Sequence, residues 1–261
     1  MAKHEAIIIG GGLAGLSAAL AASKSGMSDI AIVSKLHPLR SNAVAAQGGI
    51  AASIGNSAED SWIAHMEDTV KGGDYLNDQD AVEILVKEAS SAVYGLEHIG
   101  VLFNRDENGM IAQRAFGGHS KPRACYAKDT TGHSIQYEMF AQALKDKIKI
   151  YDEYYATSLI IEDSVCKGLT AYNIKTGEIE AFEAKAVMMA TGGFAQVYQT
   201  TTASTSSTGD GLNLALKSNI PLMDMEFVQF HPTGIYGKGT LVSEAARGEG
   251  GHLKNGLGER F

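Results

Sequence analysis

The sequence predicts an α/β fold built on a parallel sheet. Three observations predict it. A glycine turn, Gly10 to Gly15, joins an apolar strand to a helix; a second apolar strand follows at 30–33; and a late strand ends in Ala190-Thr191-Gly192-Gly193. A strand, a helix and another strand in close succession form the unit from which parallel sheets are assembled.

Each element has its own signal. Residues 6–9 are a short apolar run that stops at glycine. Residues 13–25 place Leu16, Ala19 and Leu20 on one helical face, and Gly26 closes that helix. Residues 34–56 are small and irregular, 61–70 and 80–99 predict helices, and 104–132 are glycine-rich and polar, hence loop-like. Residues 133–147 predict a helix with Ile135, Met139, Ala143 and Leu144 on one side. Residues 155–162, 168–174 and 178–184 predict a three-stranded meander, the last two strands joined by the hairpin signal Lys175-Thr176-Gly177. A separate buried strand is predicted at 186–190, and a helix at 210–218. The expected division is residues 1–232 as one domain and 233–261 as the start of a second, capping one.

Bulk properties narrow the classes. The 261 residues are 44% hydrophobic and 20% charged, ordinary for a globular protein. The net charge of -8 argues against a nucleic-acid partner, which needs a basic face. The two cysteines, Cys125 and Cys166, are too few and too far apart for a zinc site or an iron–sulfur cluster. No apolar run is long enough to span a bilayer, and Met1 to Glu5 runs straight into a strand with no signal peptide expected. Thirty glycines against four prolines, many in pairs, suggest backbone packed closely on a ligand.

Gly10, Gly12 and Gly15 match GxGxxG between a strand and a helix. The first glycine permits the turn, the second lets a pyrophosphate approach, and the third packs helix on strand. The helix N-terminus then offers its N–H groups and partial positive charge to the phosphates. The second strand does not end in the acidic residue of an NAD site but in Ser34-Lys35. The meander and the ATGG strand fit a Rossmann-like, two-motif FAD-binding domain better.

Longer stretches then become specific. They are Arg40-Ser41-Asn42-Ala43-Val44-Ala45-Ala46-Gln47-Gly48-Gly49-Ile50, His65-Met66-Glu67-Asp68-Thr69-Val70-Lys71-Gly72, Asp129-Thr130-Thr131-Gly132-His133, Thr208-Gly209-Asp210-Gly211, Gln229-Phe230-His231-Pro232-Thr233-Gly234 and Ser243-Glu244-Ala245-Ala246-Arg247-Gly248-Glu249-Gly250-Gly251. In that order, and over nearly the whole chain, they resemble the flavoprotein subunits of the succinate dehydrogenase, fumarate reductase and L-aspartate oxidase group.

The resemblance implies FAD held by Gly10, Gly11, Gly12, Leu13, Ala14, Gly15, Ser34, Lys35, Ser41, Asn42, Gln47, Gly48, Gly49, Ala156, Ala190, Thr191, Gly192 and Asp210. It implies that His231 and Ser243 hydrogen-bond a dicarboxylate and that Glu244 and Arg247 relay a proton. A hydride would pass between a substrate carbon and the flavin N5 while a proton moves at the neighbouring carbon. The family's main catalytic arginine would lie beyond Phe261, so residues 1–261 alone are expected to be inactive. The implied partners are an iron–sulfur subunit and, through it, a membrane anchor. The implied location is cytoplasmic, peripheral on the inner face of the cell membrane. His65 and His133 read as structural or cofactor-adjacent, and His4, His37, His98, His119 and His252 are assigned no role.

Two departures from the family pattern are informative. Asn42 stands where respiratory members carry the histidine that bonds the flavin, and an amide cannot form that bond. Noncovalent FAD is therefore expected, with chemistry tilted toward fumarate reduction. L-aspartate oxidase shares that lack, but carries a glutamate for the substrate amino group where this chain has Phe116. An apolar ring cannot pair with an ammonium, so Phe116 favours succinate and fumarate. The alternatives are an aspartate-oxidase-like enzyme and a non-catalytic FAD-binding fragment.

Overall fold

The structure, a computed structural model, describes all residues except Tyr236 and Phe261, which lie within the 233–261 segment. The chain divides into two interleaved units: residues 1–45 with 135–240, and residues 46–134 with 241–261.

The first unit holds a six-stranded sheet in the order β6-β2-β1-β9-β8-β7. Its strands are β1 (Ala2–Ile9), β2 (Ile30–Ser34), β6 (Lys149–Asp152), β7 (Tyr154–Glu162), β8 (Val165–Asn173) and β9 (Ile179–Met189). β6, β2, β1 and β9 run parallel, with Ile7 beside both Ala31 and Val187. β7, β8 and β9 are antiparallel. Alternation in the strands sorts the residues by face. Ile7, Ile9, Ala31 and Val33 form one cluster with Leu169, Ala171, Phe182 and Ala184, and Leu214 of α5 (Asp210–Lys217) joins it. Helix α1 (Leu13–Lys24) buries Leu16, Ala19 and Leu20 and packs on β1 and β2.

Three expectations are corrected here. The third meander strand and the strand before Ala190 are one strand, β9, eleven residues long. Ala184-Lys185-Ala186 contains no turn former, so nothing interrupts the ladder, and β9 pairs β8 on one edge and β1 on the other. Its last residues are not buried: Ala186 and Met188 are exposed, because α1 packs on β1 and β2. β6 was not foreseen; Lys147, at φ +58°, turns the chain out of helix α4 (Thr131–Lys145) and into it. The predicted hairpin is present, with Asn173 Oδ1 accepting from Lys175 N at 2.9 Å and Thr176 N at 3.2 Å.

The second unit contains α2 (Trp62–Gly72) and α3 (Gln79–His98), packed on each other. Ser61 Oγ caps α2 by accepting from Ala64 N at 3.2 Å, and Asp78 Oδ1 caps α3 by accepting from Asp80 N and Ala81 N at 3.1 Å. α3 buries Val82, Val86, Ala89 and Val93, one helical stripe. The stretch 104–132 also contributes β4 (Gln113–Arg114) and β5 (Ala124–Cys125), which form a small sheet with β3 (Ile50–Ala51) in the order β3-β5-β4. Short strands β10 (Gly234–Ile235) and β11 (Thr240–Leu241) precede α6 (Ala245–Gly248).

Arg123 ties the second unit together. Its side chain is fully buried and donates bidentately to Asp60, Nε to Oδ2 at 2.6 Å and Nη2 to Oδ1 at 2.9 Å, while Nη1 donates to Asp68. Ser120 donates to Asp68 through both its N–H and its hydroxyl, each at 2.7 Å. Burial pushes the Asp68 carboxyl up, but these donors outweigh it and bring its pKa to about 2.

Candidate functional site

In the first unit β1 delivers the chain to the glycine turn. Gly10 has φ +115°, and a Cβ there would sit 2.2 Å from Ala190 O. A Cβ on Gly15 would sit 1.9 Å from Gly10 O, so this third glycine lets α1 close on the turn. A Cβ on Gly12 would touch only Ser41 Cβ, at 3.8 Å, so the second glycine leaves open space over the helix start. Gly12 caps α1 without a side-chain bond. The first-turn N–H groups have no intrahelical acceptor.

That space is a cavity of about 490 Å³. It is lined by the predicted residues Gly10, Gly11, Gly12, Leu13, Ala14, Ser34, Lys35, Ser41, Asn42, Ala156, Ala190, Thr191, Gly192 and Asp210. Gly15 packs beneath the turn instead of lining it, and Gln47, Gly48 and Gly49 belong to the second unit. Ser41 Oγ is buried without a hydrogen-bond partner among the described residues, which suits a donor to a phosphate oxygen. The helix start, the open Gly12 and this hydroxyl fit a dinucleotide.

Lys35 and Asp210 form an ion pair inside the same lining. Thr208 Oγ1 lies 2.7 Å from Lys35 Nζ, and Tyr155 OH donates to Asp210 Oδ1 at 3.3 Å. The acid missing from the end of β2 is thus supplied from the first turn of α5. Asn42 Oδ1 accepts from Ser204 N at 2.8 Å, which holds the asparagine side chain in place.

His231 lies beside a second cavity of the first unit, about 450 Å³. Its Nδ1 is 2.9 Å from Thr233 O, and donation there would leave Nε2 as the ring's other polar atom.

The second unit carries the other candidates. Arg247 Nη2 donates to Glu244 Oε1 at 2.9 Å. That carboxylate oxygen lies 2.8 Å from where a Cβ on Gly117 would be. The Phe116 ring lies 2.8 Å from the Cβ position of Gly48, so only glycine fits beneath it. Ser243 Oγ accepts from Ala245 N at 3.3 Å, just before α6. Phe116, Glu244 and Arg247 are therefore brought into one neighbourhood, with Gly48 of the predicted flavin loop.

Three residues escaped the sequence reading. Gln136 is fully buried, and its Nε2 donates to Gly11 O at 2.8 Å and Pro38 O at 3.0 Å, bracing the glycine turn. Its signal was a polar side chain on the otherwise apolar face of Ile135, Met139 and Ala143. Arg114 donates to Gln47 O and Gly48 O, and only its place next to the FGG stretch hinted at this. His119 stacks near both His65 and Phe116, with ring centroids 6.3 Å and 6.4 Å away. Burial, with the Arg123 charge, pulls the His65 and His119 imidazoles below their ordinary value.

Comparison with known proteins identifies the family of the chain. The FAD binding domain family matches residues 5–261. The succinate dehydrogenase flavoprotein subunit of Rickettsia conorii is 48% identical over 99% of this chain and 45% of its own length. The fumarate reductase flavoprotein subunit of Mycobacterium tuberculosis is 46% identical over 100% of this chain and 45% of its own length. Among solved structures, a chain of E. coli quinol fumarate reductase superposes with a TM-score of 0.95 at 39% identity, covering 99% of this chain and 45% of that one. The chain spans about half the length of the curated relatives it matches.

Proposed function

Because this chain belongs to the FAD binding domain family, we propose that the protein is a flavoprotein that interconverts succinate and fumarate. The observation that carries the reading is the Glu244–Arg247 pair, 2.9 Å apart, set against the Phe116-Gly117 turn over Gly48. An acid and a base in contact beside an apolar ring suit proton delivery to a carbon atom.

FAD, when bound, supplies a hydride acceptor or donor at N5. The chain's own residues do the rest. The N–H groups at the start of α1 and Ser41 Oγ hold the phosphates, and Gln47, Gly48 and Gly49 back the flavin end. His231 and Ser243 donate to substrate carboxylates. Phe116 packs beside the carbon chain and offers no charge to an amino group, which disfavours aspartate. Glu244 and Arg247 pass a proton toward the substrate carbon. With Asn42 at the linking position, the FAD is noncovalent. Electrons pass between the flavin and an iron–sulfur partner subunit with its membrane anchor, inward for fumarate reduction and outward for succinate oxidation, with this subunit peripheral on the inner face of the membrane. No helix among the described residues is long and apolar enough to cross a membrane.

The test is a steady-state comparison on the full-length, FAD-loaded protein. Dye-coupled succinate oxidation and fumarate reduction are measured beside L-aspartate oxidation. We expect kcat/KM for the plain dicarboxylates to exceed that for aspartate by about 100-fold or more. Faster aspartate oxidation would move the protein to the aspartate oxidase branch.

A further inference from the structure

A Glu–Arg pair that passes protons must be reloaded from water, and the second unit offers a residue placed for that. His119 closes the turn that begins at Phe116, its N–H donating to Phe116 O at 3.3 Å. Gly117, in the same turn, is where the Glu244 carboxylate rests, with Oε1 2.8 Å from the Cβ position. One four-residue turn thus presents the Phe116 ring, seats the relay carboxylate and carries an imidazole.

The imidazole is divided between protein and solvent. His119 is half-buried; its Nδ1 is buried with no hydrogen-bond partner among the described residues, while the residue as a whole remains partly accessible. A structural histidine normally has such a buried nitrogen satisfied. The groups whose charge acts on His119 come from several segments: Asp60 just before α2, Asp68 on α2, Arg123 before β5 and Glu244 before α6. His65 of α2 adds its ring at 6.3 Å.

We propose that His119 is the proton-exchange residue that reloads the Glu244–Arg247 pair, acting through Glu244 and not on the substrate itself. This rests on the succinate/fumarate reading above. In fumarate reduction a proton leaves the His119 imidazolium for the Glu244 carboxylate. Glu244 then passes it through Arg247 toward the group that protonates the substrate carbon, and the neutral imidazole takes a new proton from water. No electron moves in this relay, and once the imidazole is reprotonated every relay group is back at its starting charge. Burial and the Arg123 charge disfavour the imidazolium, which makes it a ready donor, while Asp68, Glu244 and Asp60 oppose them. Histidine suits the task because its ordinary pKa lies close to working pH.

Two measurements on the full-length protein test this. The first follows His119 by NMR titration of histidine-labelled protein, its signal assigned by its loss in H119Q. Removing the Glu244 charge in E244Q should lower the His119 midpoint by about half a unit or more, since a nearby anion favours the imidazolium. The second measures fumarate reduction. H119Q should lower kcat about 10-fold or more, with KM within about twofold and flavin absorbance unchanged, and should alter the pH–rate profile. H119A should regain rate when imidazole is added. An unshifted midpoint in E244Q, or wild-type kcat in H119Q, overturns the proposal. A wild-type protein with neither dicarboxylate activity would sink the functional reading; the titration would still decide whether Glu244 and His119 are coupled.

Discussion

Arg114 Nη2 donates to the carbonyl oxygen of Gly48 at 2.6 Å. The same nitrogen reaches Gln47 O at 3.1 Å and Lys128 O at 3.3 Å, and the guanidinium lies 4.2 Å from the Tyr126 ring. A planar, delocalised cation with a fixed fork of donors can hold neighbouring carbonyls while its face lies on an aromatic ring. The loop from Gln47 to Gly49 is therefore pinned from behind by a residue that need not touch the cofactor.

Replacing Arg114 with glutamine should remove about 2 kcal/mol, the scale of hydrogen bonds to a charged group. Part of that loss should appear as weaker FAD binding, because the loop must then be ordered by the ligand. We expect the dissociation constant, read by flavin fluorescence, to rise about 10-fold. An unchanged constant together with lowered chemical stability would assign Arg114 to folding alone.

The glycine turn predicts two different failures. Gly12→Val fills the open space over the helix start, so the protein should fold but lose FAD affinity by about 100-fold or more. Gly10→Ala drives a Cβ toward Ala190 O, 2.2 Å away, and forces a side chain into φ +115°. It should lower the melting temperature as well. Thermal unfolding of the FAD-free proteins separates the two. Equal melting temperatures for both variants would refute the distinction.

Asp68 makes the second unit sensitive to acid. Its pKa falls from 3.8 to about 2 on folding. A depressed carboxyl contributes its full stability above the unfolded value, and the contribution is lost as pH falls from about 4 toward 2. Asp68→Asn should cost about 3 kcal/mol near neutral pH, because the buried Arg123 is left with one carboxylate partner where it had two. It should also flatten the pH dependence of stability in that window. Denaturation midpoints of variant and wild type at pH 7 and about pH 3 measure this; a pH-independent difference would mean the carboxyl is not what titrates.

The parts legible in the sequence were the local ones. The strand, turn and helix from β1 to α1 lie within 24 residues, and Gly15 there packs on Gly10 O of the same turn. Most of the residues carried over to the FAD site line one cavity, the early ones from this turn and Ala156, Ala190 and Asp210 from far along the chain. What the sequence could not show were contacts made at long range. Gln136 braces Gly11 from 125 positions away, and Arg114 reaches back 66 positions to Gly48. The break expected near Lys185 is absent because β9 is held in one ladder by β8 on one edge and β1 on the other, a pairing between segments far apart in the chain. His119 had no role assigned from the sequence; its relation to Glu244 exists only once the 116–119 turn meets the start of α6.

The mode of FAD attachment can be both tested and altered at one position. Asn42 lines the cavity, and its Oδ1 accepts from Ser204 N at 2.8 Å, so the side chain is placed but chemically inert toward a flavin methyl group. Acid precipitation of the full-length protein should release all of its flavin into the supernatant. Fluorescence remaining on the denatured polypeptide would refute noncovalent binding. Asn42→His supplies an imidazole nitrogen at that position, and neutral imidazole is a competent nucleophile. The variant should keep its fold, since Asn42 is largely accessible and its side-chain oxygen is bonded to a backbone N–H. It should retain a measurable fraction of flavin after precipitation. It should also show a higher flavin potential than the wild type, shifting the balance from fumarate reduction toward succinate oxidation. Retained flavin with an unshifted potential would separate attachment from direction, and would leave the fumarate bias to be explained by other residues around the ring.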